Sequence, residues 1–257
     1  MRTQTIYFPP DQQRLCVFPG KPSNLPQAIS ELSLKDDHPV IVLIGGEIDK
    51  KDAAVTQQAV QTISKIAQDL KAIVICGGTN MGIMSEIGHT RRRNHHDYPL
   101  VGVAPEELVT WPQGPQGTKF LWWGKERWQL EPHCTHFILV PGSNFGDESP
   151  WIVDTATLLS RNQHSVTILL NGGEVSRKDI ELSLEHGRPV IALSRTGRLA
   201  DELAREPERN NLSTVIPANV EKQIVEAVRA VLLPAERSIS ETPIQPGIQL
   251  KVDETAG

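Results

Sequence analysis

The sequence predicts an α/β fold: a Rossmann-like, doubly wound, mainly parallel sheet with helices on both faces. Three observations carry that expectation. Continuous apolar runs such as 39–44 and 72–76 have the pattern of strands buried on both faces. Helix-like segments lie between them, clearest where Val55, Ala59, Ile63, Ile66 and Leu70 recur at helical spacing with Gln57, Gln61, Lys65 and Asp69 between. Two glycine-bearing turns, Gly77-Gly78-Thr79-Asn80-Met81-Gly82 and Pro141-Gly142-Ser143-Asn144-Phe145-Gly146-Asp147-Glu148, each join an apolar run to a helix-like run. Alternation of this kind gives parallel strands linked by right-handed crossovers.

In chain order, residues 1–37 read as an irregular N-terminal extension with one candidate strand at 15–18. The run 39–44 ends at Gly45-Gly46, and an amphipathic helix covers 55–70. A strand at 72–76, a glycine turn and a helix at 82–93 follow, then a strand at 99–103. After a long interruption come a strand at 136–140, a helix near 149–161 and a strand at 166–170. The next helix is expected to start at Ser176, with Asp179 as its capping-box partner, and to stop at Gly187. A strand at 189–193, a helix at 197–206, a short strand at 213–216 and a helix at 220–232 complete the pattern. The chain thus divides into the extension 1–37, a ligand-binding domain 38–232 and a polar tail 233–257 without periodicity. Within the domain, the insertion 104–135 holds four of the five tryptophans (Trp111, Trp122, Trp123, Trp128). Such a loop either pins itself down as a satellite core or offers an indole to stack on a base.

At 257 residues the chain can bury a full core. A formal net charge of -5 and a pI near 5.9 argue against an electrostatically driven nucleic-acid binder. Three cysteines without CxxC spacing suggest free thiols in a reducing compartment. The first residues contain no apolar signal core, and no apolar run nears the roughly 20 residues that span a bilayer. The expectation is a soluble cytoplasmic protein that engages neither membrane nor nucleic acid.

A strand that ends in glycines and feeds a helix aims free backbone N–H groups outward, a preformed anion site. Two such turns point to a nucleotide or another phosphorylated ligand. The first is neither the GxGxxG fingerprint nor a P-loop, because its spacing is Gly-Gly-x-x-x-Gly and no Lys-Ser/Thr pair follows. Its glycines serve either a ligand phosphate or a tight turn. Arg198 and Asp201 lie three apart at a helix start, so Arg198 can reach a phosphate while Asp201 accepts from ribose hydroxyls or holds Arg198. The plain alternative is a surface ion pair. Glu47 and Asp49 either meet ribose hydroxyls or open the helix after them. Arg91-Arg92-Arg93 reads as a solvated cap that complements the helix dipole. His133 and His136 fall on opposite faces of an extended segment, which favours a structural role over zinc.

The segment 77–84 is similar to the glycine-rich GGGxxGLMG motif of the "lonely guy" phosphoribohydrolases, often labelled lysine-decarboxylase-like. Residues 141–148 resemble a variant of their PGGxGTxxE motif. Gly172-Gly173, Gly187-Arg188-Pro189-Val190-Ile191 and Ser194-Arg195-Thr196-Gly197-Arg198-Leu199-Ala200-Asp201 resemble the ligand-sensing domain at the cytoplasmic N-terminus of TRPM channels. Free-standing prokaryotic relatives of that domain (LSDAT) belong to the SLOG superfamily. The resemblance spans roughly 38–232.

It implies a sheet that binds a nucleotide-derived ligand, ADP-ribose or another product of NAD metabolism, with no further cofactor, in a protein that assembles as a homo-oligomer. It implies ligand contacts at Gly45, Gly46, Gly77, Gly78, Thr79, Asn80, Met81, Gly82, Gly142, Ser143, Asn144, Phe145, Gly146, Asp147, Gly173, Thr196, Gly197, Arg198 and Asp201, and no metal. The hydrolases place a glutamate three residues after the last glycine of the second motif, where this chain has Ser149. Glu148 and Asp147 stand beside it as a shifted acid/base. The leading expectation is therefore a sensor; the alternative is a nucleoside 5'-monophosphate phosphoribohydrolase.

Overall fold

The computed structural model describes residues 1–114, 127–161, 163–206 and 214–233. The strands are β1 (Arg2–Phe8), β2 (Gln12–Phe18), β3 (Val40–Gly45), β4 (Ile73–Cys76), β5 (Leu100–Pro105), β6 (Val109–Thr110), β7 (Trp128–Gln129), β8 (His136–Val140), β9 (Ser165–Leu170), β10 (Val190–Ser194) and β11 (Thr214–Pro217). The helices are α1 (Leu25–Glu31), α2 (Ala53–Leu70), α3 (Gly82–Arg93), α4 (Ser149–Leu159), α5 (Glu174–Glu185), α6 (Arg198–Arg205) and α7 (Glu221–Leu232).

The main sheet runs β1-β2-β8-β5-β4-β3-β9-β10-β11, and within it the β1–β2 hairpin alone is antiparallel. The predicted mainly parallel α/β sheet is therefore what the chain forms. Along β3 the side chains alternate between faces, as the pleat dictates. Ile41 and Leu43 pack beneath α2, α3 and α7, whereas Val40, Val42 and Ile44 pack beneath α1, α4, α5 and α6. Of the expected α2 stripe, Ala59, Ile63 and Ile66 are fully buried or nearly so, and Val55 and Leu70 at its ends are partly buried against the same core.

Three expectations are corrected. Residues 1–37 are not an irregular lead-in: β1 and β2 extend the sheet, with β2 parallel to β8. Ile6 and Phe8 alternate into the core, but polar Arg2, Thr3, Gln4 and Thr5 obscure a strand pattern in the sequence. Helix α5 begins at Glu174 behind Gly173, so Ser176 lies inside the helix and caps nothing there. The capping-box spelling fails because Ser176 and Asp179 are buried beneath that helix rather than placed at its start. Lastly, Trp111 joins the main core against Phe18 instead of forming a satellite. Trp122, Trp123 and the tail beyond 233 lie outside the described residues.

From β3 the chain steps outward through β4, β5 and β8, then returns to lay β9 on the other side of β3. The direction of winding thus reverses between β3 and β9. A crevice opens outside the carboxyl ends of strands at such a switch point.

Candidate functional site

Three loops meet at that crevice: Gly45-Gly46 after β3, Asn171-Gly172-Gly173 after β9, and Arg195-Thr196-Gly197-Arg198 after β10. Buried Asn171 ties them together. Its Nδ2 donates to the Glu47 carbonyl at 2.8 Å, its amide donates to Thr196 Oγ1 at 2.8 Å, and the Thr196 hydroxyl donates to the Leu193 carbonyl at 2.6 Å. The amide of Ala200 donates to the Asn171 carbonyl, which seats the start of α6 against the β9 loop.

The β10 loop is strained. Arg195, Gly197 and Arg198 all take positive φ, 68°, 93° and 47°. Glycine adopts this region freely, but an arginine costs about 1–2 kcal/mol there. The Arg198 guanidinium lies over the neighbouring glycines: a Cβ on Gly46 would stand 3.1 Å from Nη1, and one on Gly173 would stand 2.7 Å from Nη2. Among the described residues Arg198 has no hydrogen-bond or ion-pair partner. Asp201 does not hold it. Its Oδ1 instead accepts from the Arg195 amide at 2.5 Å, bracing the loop.

Around Arg198 runs an open groove of about 650 Å³, lined by Gly172, Gly173 and Gly197, by basic Lys51, Arg177 and Arg205, and by acidic Glu174, Asp201 and Glu202. Arg177 is neutralised by Glu202 at 2.8 Å. The first amides of α5 have no acceptor within their helix, and Gly173 provides no side-chain cap, so the positive end of α5 faces the groove. On the other side, Asp52 Oδ2 is buried without a hydrogen-bond partner, close beside Gly197 and 3.9 Å from Lys51 Nζ. The site therefore offers a cation and a helix N-terminus to an anion, with the Asp52 carboxylate, ion-paired to Lys51, beside them.

The two glycine turns are built differently from the expectation of one shared cradle. They end β4 and β8, which β5 separates by two strand spacings, roughly 10 Å. They also feed helices on opposite faces, α3 and α4. In the first turn, Gly78 accepts from the Glu131 amide at 2.9 Å, the Asn80 amide donates to Gln129 at 2.7 Å, and the Met81 amide donates to Thr79 at 2.8 Å. Thr79 is buried under the 128–131 segment, with Leu130 as its bridge partner. Gly82 is needed for packing: a Cβ there would overlap the Gly46 carbonyl, and the Ile83 amide donates to that carbonyl. Gly45, Gly77 and Gly82 thus shape the junction of β3, β4 and α3.

In the second turn the protein supplies its own acceptors. The amides of Ser143 and Asn144 donate to Asp147 Oδ2 at 2.9 and 3.0 Å, and the Gly146 amide donates to Glu148 Oε2 at 2.7 Å. Its main-chain donors are not bare. Phe145 is exposed, and Gly142 packs beside Pro105 and Asp147. Glu148 is almost fully buried, and burial pushes it up to about 7, with the charges of Asp179 and Asp147 adding to the rise against the Gly146 hydrogen bond. Asp179 is raised by burial to about 6, opposed by Lys178. Lys178 also crosses to the turn, donating to the Gly146 carbonyl at 2.6 Å.

With this geometry in hand, likeness to known proteins becomes informative. Residues 38–236 match the family described as SLOG in TRPM, prokaryote. The chain belongs to this family. No curated protein matches it. Among solved structures, the structural-genomics protein TM1055 superposes with a TM-score of 0.51 at 16% identity, over 74% of this chain and 99% of the other. The molybdenum cofactor carrier protein of Chlamydomonas reinhardtii does so with a TM-score of 0.50 at 16% identity, over 76% and 98%. Both show that this SLOG protein shares their fold.

Arg198 and Gly173 are marked by sequence pattern, whereas Asn171, Asp52 and Lys51 are not among the expected site residues. Asn-Gly-Gly after β9 repeats the strand-Gly-Gly spelling seen after β3 and β4, a signal for Asn171. Asp52 precedes α2 like any helix-opening acid, and nothing local marks it. Arg188 of the family-like Gly-Arg-Pro segment is buried and donates to the Val153 carbonyl, Thr157 and Ser165, so its work is structural.

Proposed function

We propose that this SLOG protein binds a phosphorylated, nucleotide-derived small molecule of the ADP-ribose or NAD type in the groove at the β3/β9 switch, and acts as a sensor of it. The observation that carries this reading is Arg198: a cation without an ion-pair partner among the described residues, kept in a left-handed conformation over two glycines. Strain of that sort persists where surrounding structure enforces it, often at ligand clamps. A phosphate at this point meets the guanidinium and the N-terminus of α5. Asp52 supplies an acceptor for a ribose hydroxyl.

Calorimetry of the full chain against ADP-ribose, NAD, AMP and cyclic nucleotides tests it. We expect saturable binding of at least one of them, weakened about 10- to 100-fold in Arg198→Ala, the loss of one charge-assisted contact. Equal affinity in that variant, or heat from none of the four, sinks the reading.

A second reading is N-glycosidic hydrolysis of a nucleoside 5'-monophosphate. It draws on Glu148, a buried carboxyl at about 7, near the range a general acid needs. Release of ribose 5-phosphate from AMP that disappears in Glu148→Gln would establish it. If AMP stays intact while it binds, the protein is a sensor.

A further inference from the structure

A second cluster lies away from the groove, on the outer side of α3. Buried Glu131, which follows β7, reaches the flank of α3 at Gly88, where a Cβ would come within 2.5 Å of its Oε1. The glycine leaves room for a carboxylate that has no access to water. His133 holds that oxygen through its amide at 3.0 Å and its Nδ1 at 2.5 Å. The other oxygen, Oε2, is buried and has no hydrogen-bond partner. It faces His89 of α3, whose Nδ1 is 4.0 Å away, and the rings of His89 and His133 lie 4.8 Å apart.

We infer that His89, Glu131 and His133 form a zinc site. Two imidazoles and one carboxylate are a donor set that zinc takes when it keeps a fourth position open. One donor atom from each residue lies within 4.8 Å of the others. Zinc bonds of about 2.0–2.1 Å bring tetrahedral donors to roughly 3.4 Å, so the widest pair must close by up to about 1.4 Å. Exposed His89 can supply that by side-chain rotation. One supporting bond is already made, from His89 Nδ1 to the Ser85 carbonyl at 2.7 Å, and His133 Nδ1 stands directly against Glu131 Oε1. The Ser85 bond fixes the His89 tautomer and leaves its Nε2 for the metal, while His133 binds through Nδ1 once the ion replaces the hydrogen bond it shares with Glu131. The ion satisfies the stranded Oε2 and leaves its open position on the solvent side of His89, for water or a small anion. It also fastens the 128–133 segment, whose Glu131 amide caps Gly78, onto α3. This site does not depend on the groove or its ligand.

The full-length protein, stripped with chelator and dialysed, is titrated with zinc against a chromophoric competitor, with metal content read by mass spectrometry. One equivalent per chain is expected, weakened at least 10-fold in His89→Ala and in Glu131→Gln. It should be unchanged in His95→Ala, an exposed histidine outside the cluster. Zinc should raise the melting temperature of the parent but not of His89→Ala, which removes an exposed side chain and so folds. Cobalt(II) should give the intense visible bands of a four-coordinate site. Zinc bound equally by parent and His89→Ala, absence of a saturable equivalent, or a pale octahedral cobalt spectrum overturns the inference.

Discussion

Glu148 is held out of water at the mouth of α4, and its cost depends on pH. Burial pushes it to about 7 and neighbouring Asp179 to about 6, against ordinary values of 4.5 and 3.8. Between those limits the folded protein keeps protons that the unfolded chain has released. Protein stability from this pair is therefore highest below about pH 4, falls as pH rises towards 7, and levels off beyond. Glu148→Gln retains an acceptor for the Gly146 amide but cannot ionise, so it should remove part of that decline, roughly 2–3 kcal/mol. Urea unfolding of parent and variant at pH 5 and pH 8 measures the difference, and parallel profiles would falsify the assignment. Asp147, by contrast, stays bonded to two main-chain amides and acts as a fixed resident anion of its turn. Arg198 is the reverse case, a cation with no ion-pair partner among the described residues.

Among the elements, the β1–β2 hairpin has the largest unanticipated role. It covers the edge of β8 and buries Ile6, Phe8, Cys16, Val17 and Phe18. Burial of such side chains contributes about 1.5–3 kcal/mol each, so the hairpin's share is comparable with the whole stability of a domain. Deleting residues 1–20 should leave β8 as a bare apolar edge and drive the protein into aggregates, as scattering and size-exclusion profiles would report. A monodisperse truncated chain with the parent melting temperature would contradict this. The hairpin escapes a pattern search because β1 is half polar and joins the sheet through a strand far along the chain. Helix α2, whose apolar stripe is complete within its own residues, was fully legible.

For the molecule as a whole, the order of strands decides where chemistry can occur. The glycine turns after β4 and β8 stood out in the sequence, yet the switch point falls at β3 and β9. The loops after β3, β9 and neighbouring β10 bring together Asp52, Asn171 and Arg198, residues far apart in the chain. Likewise His133 stood out for its spacing to His136, but its partners proved to be Glu131 and His89 on α3. No helix among the described residues is long and apolar enough to cross a membrane.

By itself the sequence determined the alternation of strands and helices, the faces they bury and the glycines at the strand ends, because periodicity and backbone freedom are local properties. Only the tertiary structure decided which strand ends are neighbours, which amides are already occupied and which charges stand alone. Those depend on strand order and on satisfying every buried polar group at once, and neither is written in any one segment.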